Sequence, residues 1–175
     1  KNRYSGRTFI MPNKSERTNA LKLKLNPIRS EFAGRNVLIV DDSIVRGTTL
    51  ARTIQLIREQ GPKSVHLAIH SPPVLYPCYY GIDMSTSAEL AAPKFLPART
   101  GLDEHTRQAE LEKRLARSLG LDSLTYLPLS GLRNAFGASQ CAACFDGRYP
   151  LELSEDERDW IESDRTHCAQ RELSF

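Results

Sequence analysis

The sequence has little of what marks membrane, secreted or nucleic-acid-binding proteins. Only four of its 175 residues are cysteines, and no apolar run approaches the roughly 20 residues that cross a bilayer. The first residues, Lys1 to Tyr4, do not resemble a signal peptide. The net charge is +3, from 24 basic and 21 acidic residues, which is too small an excess to indicate nucleic-acid binding. We therefore predict a cytoplasmic protein that contacts neither membranes nor nucleic acids.

The composition that remains is that of a soluble globular chain. Hydrophobic residues make up 40% and charged residues 26%, and the length suits one core with an appended segment. The chain starts at Lys1 and not at a methionine, so we expect a fragment or a processed chain.

The stretch from Val37 to Thr49 organises the chain. Its first four residues are aliphatic and predict a buried strand of a parallel sheet. Two acids, Asp41 and Asp42, end the strand, and a loop with Gly47 and three hydroxyl side chains follows. A helix is then predicted, with Leu50, Ile54 and Ile57 on one face.

A strand, a loop and a helix start in this order suit a phosphorylated sugar. The loop and the helix N-terminus offer backbone N–H groups and the positive end of the helix dipole, which bind phosphate. The carboxylates at the strand end can accept hydrogen bonds from sugar hydroxyls or bind Mg²⁺. An ordinary strand–turn–helix with surface acids is the alternative interpretation.

The chain beyond this helix predicts an α/β fold. Gly61 and Pro62 end the helix, and alternating apolar residues predict a strand at 64–70, which completes a βαβ unit with a parallel sheet. His66 and His70 share one face of that strand, and we expect them on a half-exposed sheet face and not as metal ligands. We also predict a strand at 21–25 and a short helix near Glu89–Ala92, capped by Asp83 or Ser85. The rest of the chain is predicted to form a loop at 93–105, a helix at Thr106–Leu119, a strand at Leu121–Leu127, and helices at Ser130–Phe136 and 155–165.

The cysteines are spaced unevenly, which favours metal binding over disulfides. Cys141 and Cys144 form a Cys-x-x-Cys pair, whose two thiolates can bind one metal or one edge of a cluster. The pair by itself does not distinguish a metal site, a redox pair and chance.

The sequence 41–49, Asp-Asp-Ser-Ile-Val-Arg-Gly-Thr-Thr, resembles the phosphoribosyl-pyrophosphate (PRPP) signature of type I phosphoribosyltransferases, and among them the glutamine-dependent PRPP amidotransferases. The resemblance implies that PRPP and Mg²⁺ bind here, with Asp41 and Asp42 at the ribose hydroxyls and the metal. Residues 1–10 resemble the flexible loop that closes over PRPP in this family. The implied PRPP-binding residues are Asp41, Asp42, Ser43, Ile44, Val45, Arg46, Gly47, Thr48 and Thr49, and the implied catalytic loop residues are Lys1, Arg3, Tyr4 and Arg7.

The resemblance also assigns three of the cysteines. Some of these amidotransferases carry a structural [4Fe–4S] cluster, and Cys78, Cys141 and Cys144 match three of its ligands, while the fourth lies before Lys1. Cys168 has no counterpart and is expected to be a bystander. Residues 93–105 are expected to be an insertion. We expect a phosphoribosyltransferase domain at 1–128, incomplete at its N-terminus, and a helical, cluster-ligand segment at 129–175.

The resemblance thus implies an α/β enzyme that makes phosphoribosylamine from PRPP and glutamine-derived ammonia, the first committed step of purine biosynthesis. Feedback by purine nucleotides and a homo-oligomer are implied as well. The glutaminase part and the pyrophosphate loop would lie upstream, so residues 1–175 alone are expected to be inactive and to aggregate. Alternatives are a nucleobase salvage phosphoribosyltransferase, a PRPP-sensing regulator and a zinc-stabilised binding module.

Overall fold

The described part of the chain is built around a three-stranded parallel sheet. The computed structural model describes residues 27–82, 84, 86–98, 101–137 and 139–171, with side chains in the last helix described as far as Thr166. Its elements in chain order are α1 (Arg29–Phe32), β1 (Asn36–Asp41), α2 (Thr48–Arg58), β2 (Ser64–Ile69), 3-10 turns at Ser87–Glu89 and Ala92–Phe95, α3 (Glu104–Leu119), β3 (Ser123–Tyr126), α4 (Leu129–Phe136), α5 (Ala143–Asp146) and α6 (Glu155–Arg171).

The strands lie in the order β1-β2-β3, and both pairings are parallel. Asp41 at the end of β1 is opposite Ile69, and Ile69 is opposite Tyr126 on β3. The carboxyl ends of the three strands therefore lie at one edge of the sheet. This confirms the predicted α/β class and the parallel βαβ unit formed by β1, α2 and β2.

Helices α2 and α3 cover one face of this sheet. Leu50, Ile54 and Ile57 of α2 are buried, as their spacing predicts, and they join a core with Val65 and Leu67 of β2. From α3, Leu115 and Ala116 enter the same core. On the other face His66 is half-buried and hydrogen-bonds Ser64 and Ser123, so it lies on a partly exposed sheet face, as expected.

The prediction that β1 is buried on both faces is wrong for the described residues. Leu38 is 65% exposed and Val40 is 53% exposed. Both side chains point away from the face that α2 and α3 cover, since neighbouring residues of a strand alternate between faces. A run of four aliphatic residues predicts burial on both faces, but the sequence of a strand does not indicate which element covers each face.

The boundaries of several elements differ from their predictions. Helix α3 begins at Glu104, two residues early, because the side chain of Asp103 accepts a hydrogen bond from the Thr106 backbone N–H and caps the helix. The predicted loop at 93–105 contains part of a 3-10 turn, and the short helix near Glu89–Ala92 is two 3-10 turns. The last helix extends past 165 to Arg171, and β2, β3 and α4 differ from their predicted bounds by one or two residues at an end.

Some predictions fall outside the described residues. They are the strand at 21–25 and the cap at Asp83 or Ser85. Among the residues that the structure describes, no helix has the length and apolar character needed to span a membrane.

Candidate functional site

Two adjacent carboxylates lie where β1 ends. Asp41 is the last residue of the strand, and its Oδ1 accepts a hydrogen bond of 3.0 Å from the backbone N–H of Asp42. The carboxylate of Asp42 in turn accepts a 2.9 Å hydrogen bond from the Ser43 hydroxyl. Both acids are exposed, so a ligand at this edge of the sheet can reach them. These bonds use one oxygen of each carboxylate, and two hard oxygen donors of this kind fit Mg²⁺.

The loop after the carboxylates leads into α2 through Gly47, whose backbone is in the left-handed conformation. Gly47 precedes the helix with φ of 74°. This left-handed conformation is energetically unfavourable for any residue that has a Cβ atom. The first helical hydrogen bond runs from the Ala51 N–H to the Gly47 carbonyl, at 2.9 Å. The N–H groups of Thr48, Thr49 and Leu50 therefore have no acceptor within the helix. They form, with the helix dipole, the phosphate-binding geometry that the sequence predicts.

The segment that carries the two 3-10 turns packs against the middle of this loop and holds it in place. Ile44 is buried, and the Ala91 N–H donates a 2.8 Å hydrogen bond to the Val45 carbonyl. The guanidinium group of Arg46 lies 3.1 Å from the carboxylate of Glu89, and both side chains are 45% exposed. In the described structure the side chain of Arg46 thus pairs with an acid from the connection that follows β2. Glu89 is thus a site neighbour that the sequence pattern did not indicate.

Three thiols belong to a second region, formed by the segment that follows β2 and by the Cys-x-x-Cys pair. The N–H groups of Leu75 and Tyr76 both donate to the Cys144 carbonyl, at 2.9 and 3.0 Å, so the segment that leads to Cys78 is bound to the Cys-x-x-Cys pair. The pKa of the Cys144 thiol is raised to about 11, chiefly by burial, with smaller contributions from the nearby Cys78 and Cys141. The Tyr80 N–H lies 3.4 Å from the Cys78 sulfur, a contact of the kind that tunes sulfur ligands.

The donor chemistry of this thiol site, Cys78, Cys141 and Cys144, fits a thiolate-bound metal or cluster. The three are free cysteines, and they are half-buried apart from the exposed Cys141. Within the described ranges, however, no group of three or more His, Cys, Asp or Glu side chains is already placed to hold a metal ion. The side chain of Cys168 lies outside what the structure describes, so its predicted role as a bystander stays a prediction.

The thiol site has a neighbour from the C-terminal helix that sequence reasoning missed. Glu162 of α6 accepts a 2.8 Å hydrogen bond from the Tyr79 hydroxyl, 83 residues earlier in the chain. Burial would raise the pKa of Glu162, but hydrogen bonds from Ser87 and Tyr79 favour the carboxylate and hold the pKa below its usual value. Burial, and after it the hydrogen bond that the hydroxyl donates to Glu162, raises the pKa of Tyr79 to about 12. No local pattern in the sequence indicates this contact.

The candidate catalytic loop residues cannot be placed. Lys1, Arg3, Tyr4 and Arg7 lie outside the described residues, so their predicted roles are untested by the structure.

Comparison with known families agrees with this geometry. Residues 6–70, which include β1, the loop and α2, match the model of the phosphoribosyl transferase domain. A solved glutamine PRPP amidotransferase from Bacillus subtilis, complexed with ADP and GMP, superposes with a TM-score of 0.65 at 39% sequence identity and covers 90% of this chain. The fold is that of a type I phosphoribosyltransferase. A second solved structure, described as the allosteric regulatory enzyme of purine biosynthesis, superposes with a TM-score of 0.63 at 37% identity over 90% of the chain.

The phosphoribosyltransferase-like chain also has curated relatives. It is 44% identical over 155 residues, 88% of its length, to the amidophosphoribosyltransferase of Methanocaldococcus jannaschii. The chain spans 30% of that relative and 33% of the Bacillus subtilis structure, about a third of each.

Proposed function

We propose that this chain is the phosphoribosyltransferase part of an amidophosphoribosyltransferase. Such an enzyme makes 5-phosphoribosylamine from PRPP and ammonia released from glutamine, at the start of purine biosynthesis. The observation that carries the proposal is the strand end with two exposed carboxylates followed by a loop and a helix N-terminus, in a fold shared with named amidophosphoribosyltransferases.

The reaction is a substitution at C1 of the ribose. The bond from C1 to the pyrophosphate oxygen breaks, the ammonia nitrogen forms a bond to C1, and the nitrogen then loses a proton. The transition state carries positive charge on the ring, so catalysis needs positioning, stabilisation of the leaving group and exclusion of water, and no protein nucleophile.

Each part of the candidate site has a role in this substitution. Asp41 and Asp42 accept hydrogen bonds from the ribose hydroxyls, and their negative charge lies near the developing positive charge. The loop and the first turn of α2, residues 43–49, bind the 5′-phosphate through backbone N–H groups and the hydroxyls of Thr48 and Thr49. Mg²⁺, when bound beside the two aspartates, would neutralise charge on the pyrophosphate.

The remaining roles come from the resemblance and from the relatives. We assign closure over PRPP to Lys1, Arg3, Tyr4 and Arg7, which would exclude water from the reacting carbon. Purine nucleotides are proposed as feedback inhibitors, since the Bacillus subtilis structure is a complex with ADP and GMP. A homo-oligomer and a cytoplasmic location complete the proposal, with a phosphoribosyltransferase domain at 1–128 and a cysteine-bearing segment at 129–175.

Changing both carboxylates to amides tests the PRPP site. In the full-length protein, Asp41→Asn with Asp42→Asn should lower PRPP affinity or turnover with ammonia about tenfold or more, because charge-assisted hydrogen bonds to the ribose are lost. The matched control is Glu31→Gln with Glu59→Gln, two exposed acids near the opposite edge of the sheet. If both double variants keep the PRPP kinetics of the wild type, the site assignment is wrong.

We further propose that Cys78, Cys141 and Cys144 supply three ligands of a [4Fe–4S] cluster, with the fourth from another part of the protein. Support comes from the resemblance of the residues around each cysteine and from the backbone hydrogen bonds that join the two segments. Cys144→Ser in anaerobically purified full-length protein should remove the visible cluster absorbance, whereas Cys168→Ser should leave it. Zinc without iron and sulfide in the wild type would contradict the cluster and favour a zinc-stabilised module.

A further inference from the structure

The C-terminal helix α6 contacts the thiol site through polar side chains. Its contact residues Arg158, Glu162 and Arg165 are four and three positions apart and so lie on one face of the helix. Its largest apolar side chain, Trp160, is 70% exposed. Burial of this tryptophan therefore does not hold the helix in place, and hydrogen bonds and a cation–π contact join its other face to the rest of the chain.

Glu162 contacts both ends of the stretch from Tyr79 to Ser87, which begins directly after Cys78. One carboxylate oxygen accepts hydrogen bonds from the Tyr79 hydroxyl at 2.8 Å and from the Ser87 hydroxyl at 2.7 Å. The other oxygen accepts a 2.9 Å hydrogen bond from the Ser87 backbone N–H. Three donors from residues eight positions apart thus meet on one carboxylate, which closes this stretch into a loop against α6.

Two further contacts join the same helix to the residues beside Tyr79. Arg165, one turn after Glu162, donates a 2.6 Å hydrogen bond to the Cys78 carbonyl. The guanidinium carbon of Arg158 lies 5.3 Å from the centre of the Tyr149 ring, and the Tyr149 hydroxyl donates to the Pro77 carbonyl at 2.8 Å. The backbone is therefore held at the carbonyls of Pro77 and Cys78, and the side chain of Tyr79 is held beside them, by groups that α6 binds or supplies.

The other half of the thiol site is held differently. Cys144 accepts backbone hydrogen bonds from Leu75 and Tyr76, and α6 contributes to neither bond. Loss of the α6 contacts should therefore move Cys78 and leave Cys144 in place. This difference separates a local positioning effect from a general loss of stability.

We propose that Glu162 is a positioning residue that fixes Cys78 relative to Cys144, with Arg165 as its partner on α6. The inference rests on the proposed function where it concerns a cluster, and on geometry where it concerns the thiols. A cluster has a fixed shape and needs its ligands close to their bound positions before assembly. The C-terminal helix then determines how readily the thiol site is loaded and how long it retains its cluster.

Thiol labelling tests the positioning role without any metal. The full-length protein is stripped of iron with a chelator under argon and reacted with iodoacetamide, and the alkylation rates of Cys78 and Cys144 are resolved by peptide mass spectrometry. In Glu162→Gln the amide NH₂ faces the N–H and O–H donors of Ser87 and cannot accept their hydrogen bonds. We therefore expect Cys78 to react about tenfold faster than in the wild type, and Cys144 to react at a rate within about twofold of the wild type. Tyr79→Phe should act in the same direction, and the two changes together should add little.

The matched control is Asp159→Asn, which removes one exposed charge from the same helix and should leave both rates unchanged. Unchanged Cys78 labelling in Glu162→Gln, or an equal rise at Cys78 and Cys144, would overturn the positioning role. In anaerobically purified protein, the visible absorbance should decay faster in Glu162→Gln than in Asp159→Asn. If the wild type holds no iron, the cluster proposal fails and the labelling rates still decide the role of Glu162.

Discussion

Arg46 and Glu89 form an ion pair of 3.1 Å across the loop that follows β1. The loop that is proposed to bind phosphate thus has its one arginine paired with an acid from the first 3-10 turn. The pair lies beside the hydrogen bond from Ala91 to Val45, so both contacts join the loop to the same connection. We interpret Arg46 as a residue that orders the loop, while backbone N–H groups and hydroxyls bind the phosphate.

This interpretation predicts mild effects from breaking the pair. Arg46→Met and Glu89→Gln should each change the free energy of unfolding by less than about 1 kcal/mol, because both side chains are half-exposed and solvent screens the pair. PRPP affinity should change less than about threefold in either variant. Urea unfolding and PRPP titration measure the two quantities. A tenfold loss of affinity in Arg46→Met, with none in Glu89→Gln, would show instead that Arg46 binds the phosphate.

Gly47→Ala should separate backbone strain from damage to the site. Gly47 has φ of 74°, and a Cβ there would lie 3.4 Å from the Cβ of Ala91. Gly61 has a similar φ of 76°, and a Cβ there would meet nothing within 4 Å. Both alanine variants should lose about 1–2 kcal/mol of stability from the left-handed backbone. Only Gly47→Ala should also weaken PRPP binding, and equal binding by the two variants would contradict a role for this loop.

The parts of the site that the sequence predicted are the local ones. The strand, the two carboxylates, Gly47 and the helix start are neighbours in the chain, so hydrophobic periodicity and residue chemistry were enough to place them. The contact between Glu162 and Tyr79 joins residues 83 positions apart, and no periodic pattern records which distant segments meet. The same reason explains the incorrect burial of β1, since the pattern of a strand does not state what covers it.

Asp122 joins three elements and should give the fold an acid-sensitive contact. Its carboxylate accepts hydrogen bonds from the Val65 N–H at 2.6 Å and from Arg58 at 2.7 Å. These bonds, the one from the Val65 backbone above all, hold its pKa below the ordinary 3.8. Because the folded state lowers this pKa, the stabilisation is fully present above the ordinary value and is lost as the pH falls through the lowered pKa.

The measurement is the melting temperature (Tm) of Asp122→Asn and of the wild type between neutral pH and about pH 2. The variant should melt at a lower temperature at neutral pH, and the gap should close as the pH falls below the ordinary pKa. Glu59→Gln, which changes an exposed acid at the end of α2, serves as the control and should show a small gap that does not follow this pH dependence. A gap for Asp122→Asn that is constant with pH would show that its ionisation does not stabilise the fold.

The exposed apolar face of β1 should promote self-association of residues 1–175. Leu38 and Val40 are 65% and 53% exposed on a strand that has a neighbour on one side among the described residues, and exposed apolar strands associate. Replacing both with threonine places β-branched side chains, which favour strands, at the two positions and removes apolar surface. Light scattering of the isolated segment should therefore fall while its stability changes by less than about 1 kcal/mol. Val65→Thr, at a position with 0% exposure, should instead cost about 1–3 kcal/mol because a hydroxyl is buried. If the double variant loses as much stability as Val65→Thr, then another part of the chain covers Leu38 and Val40 in solution.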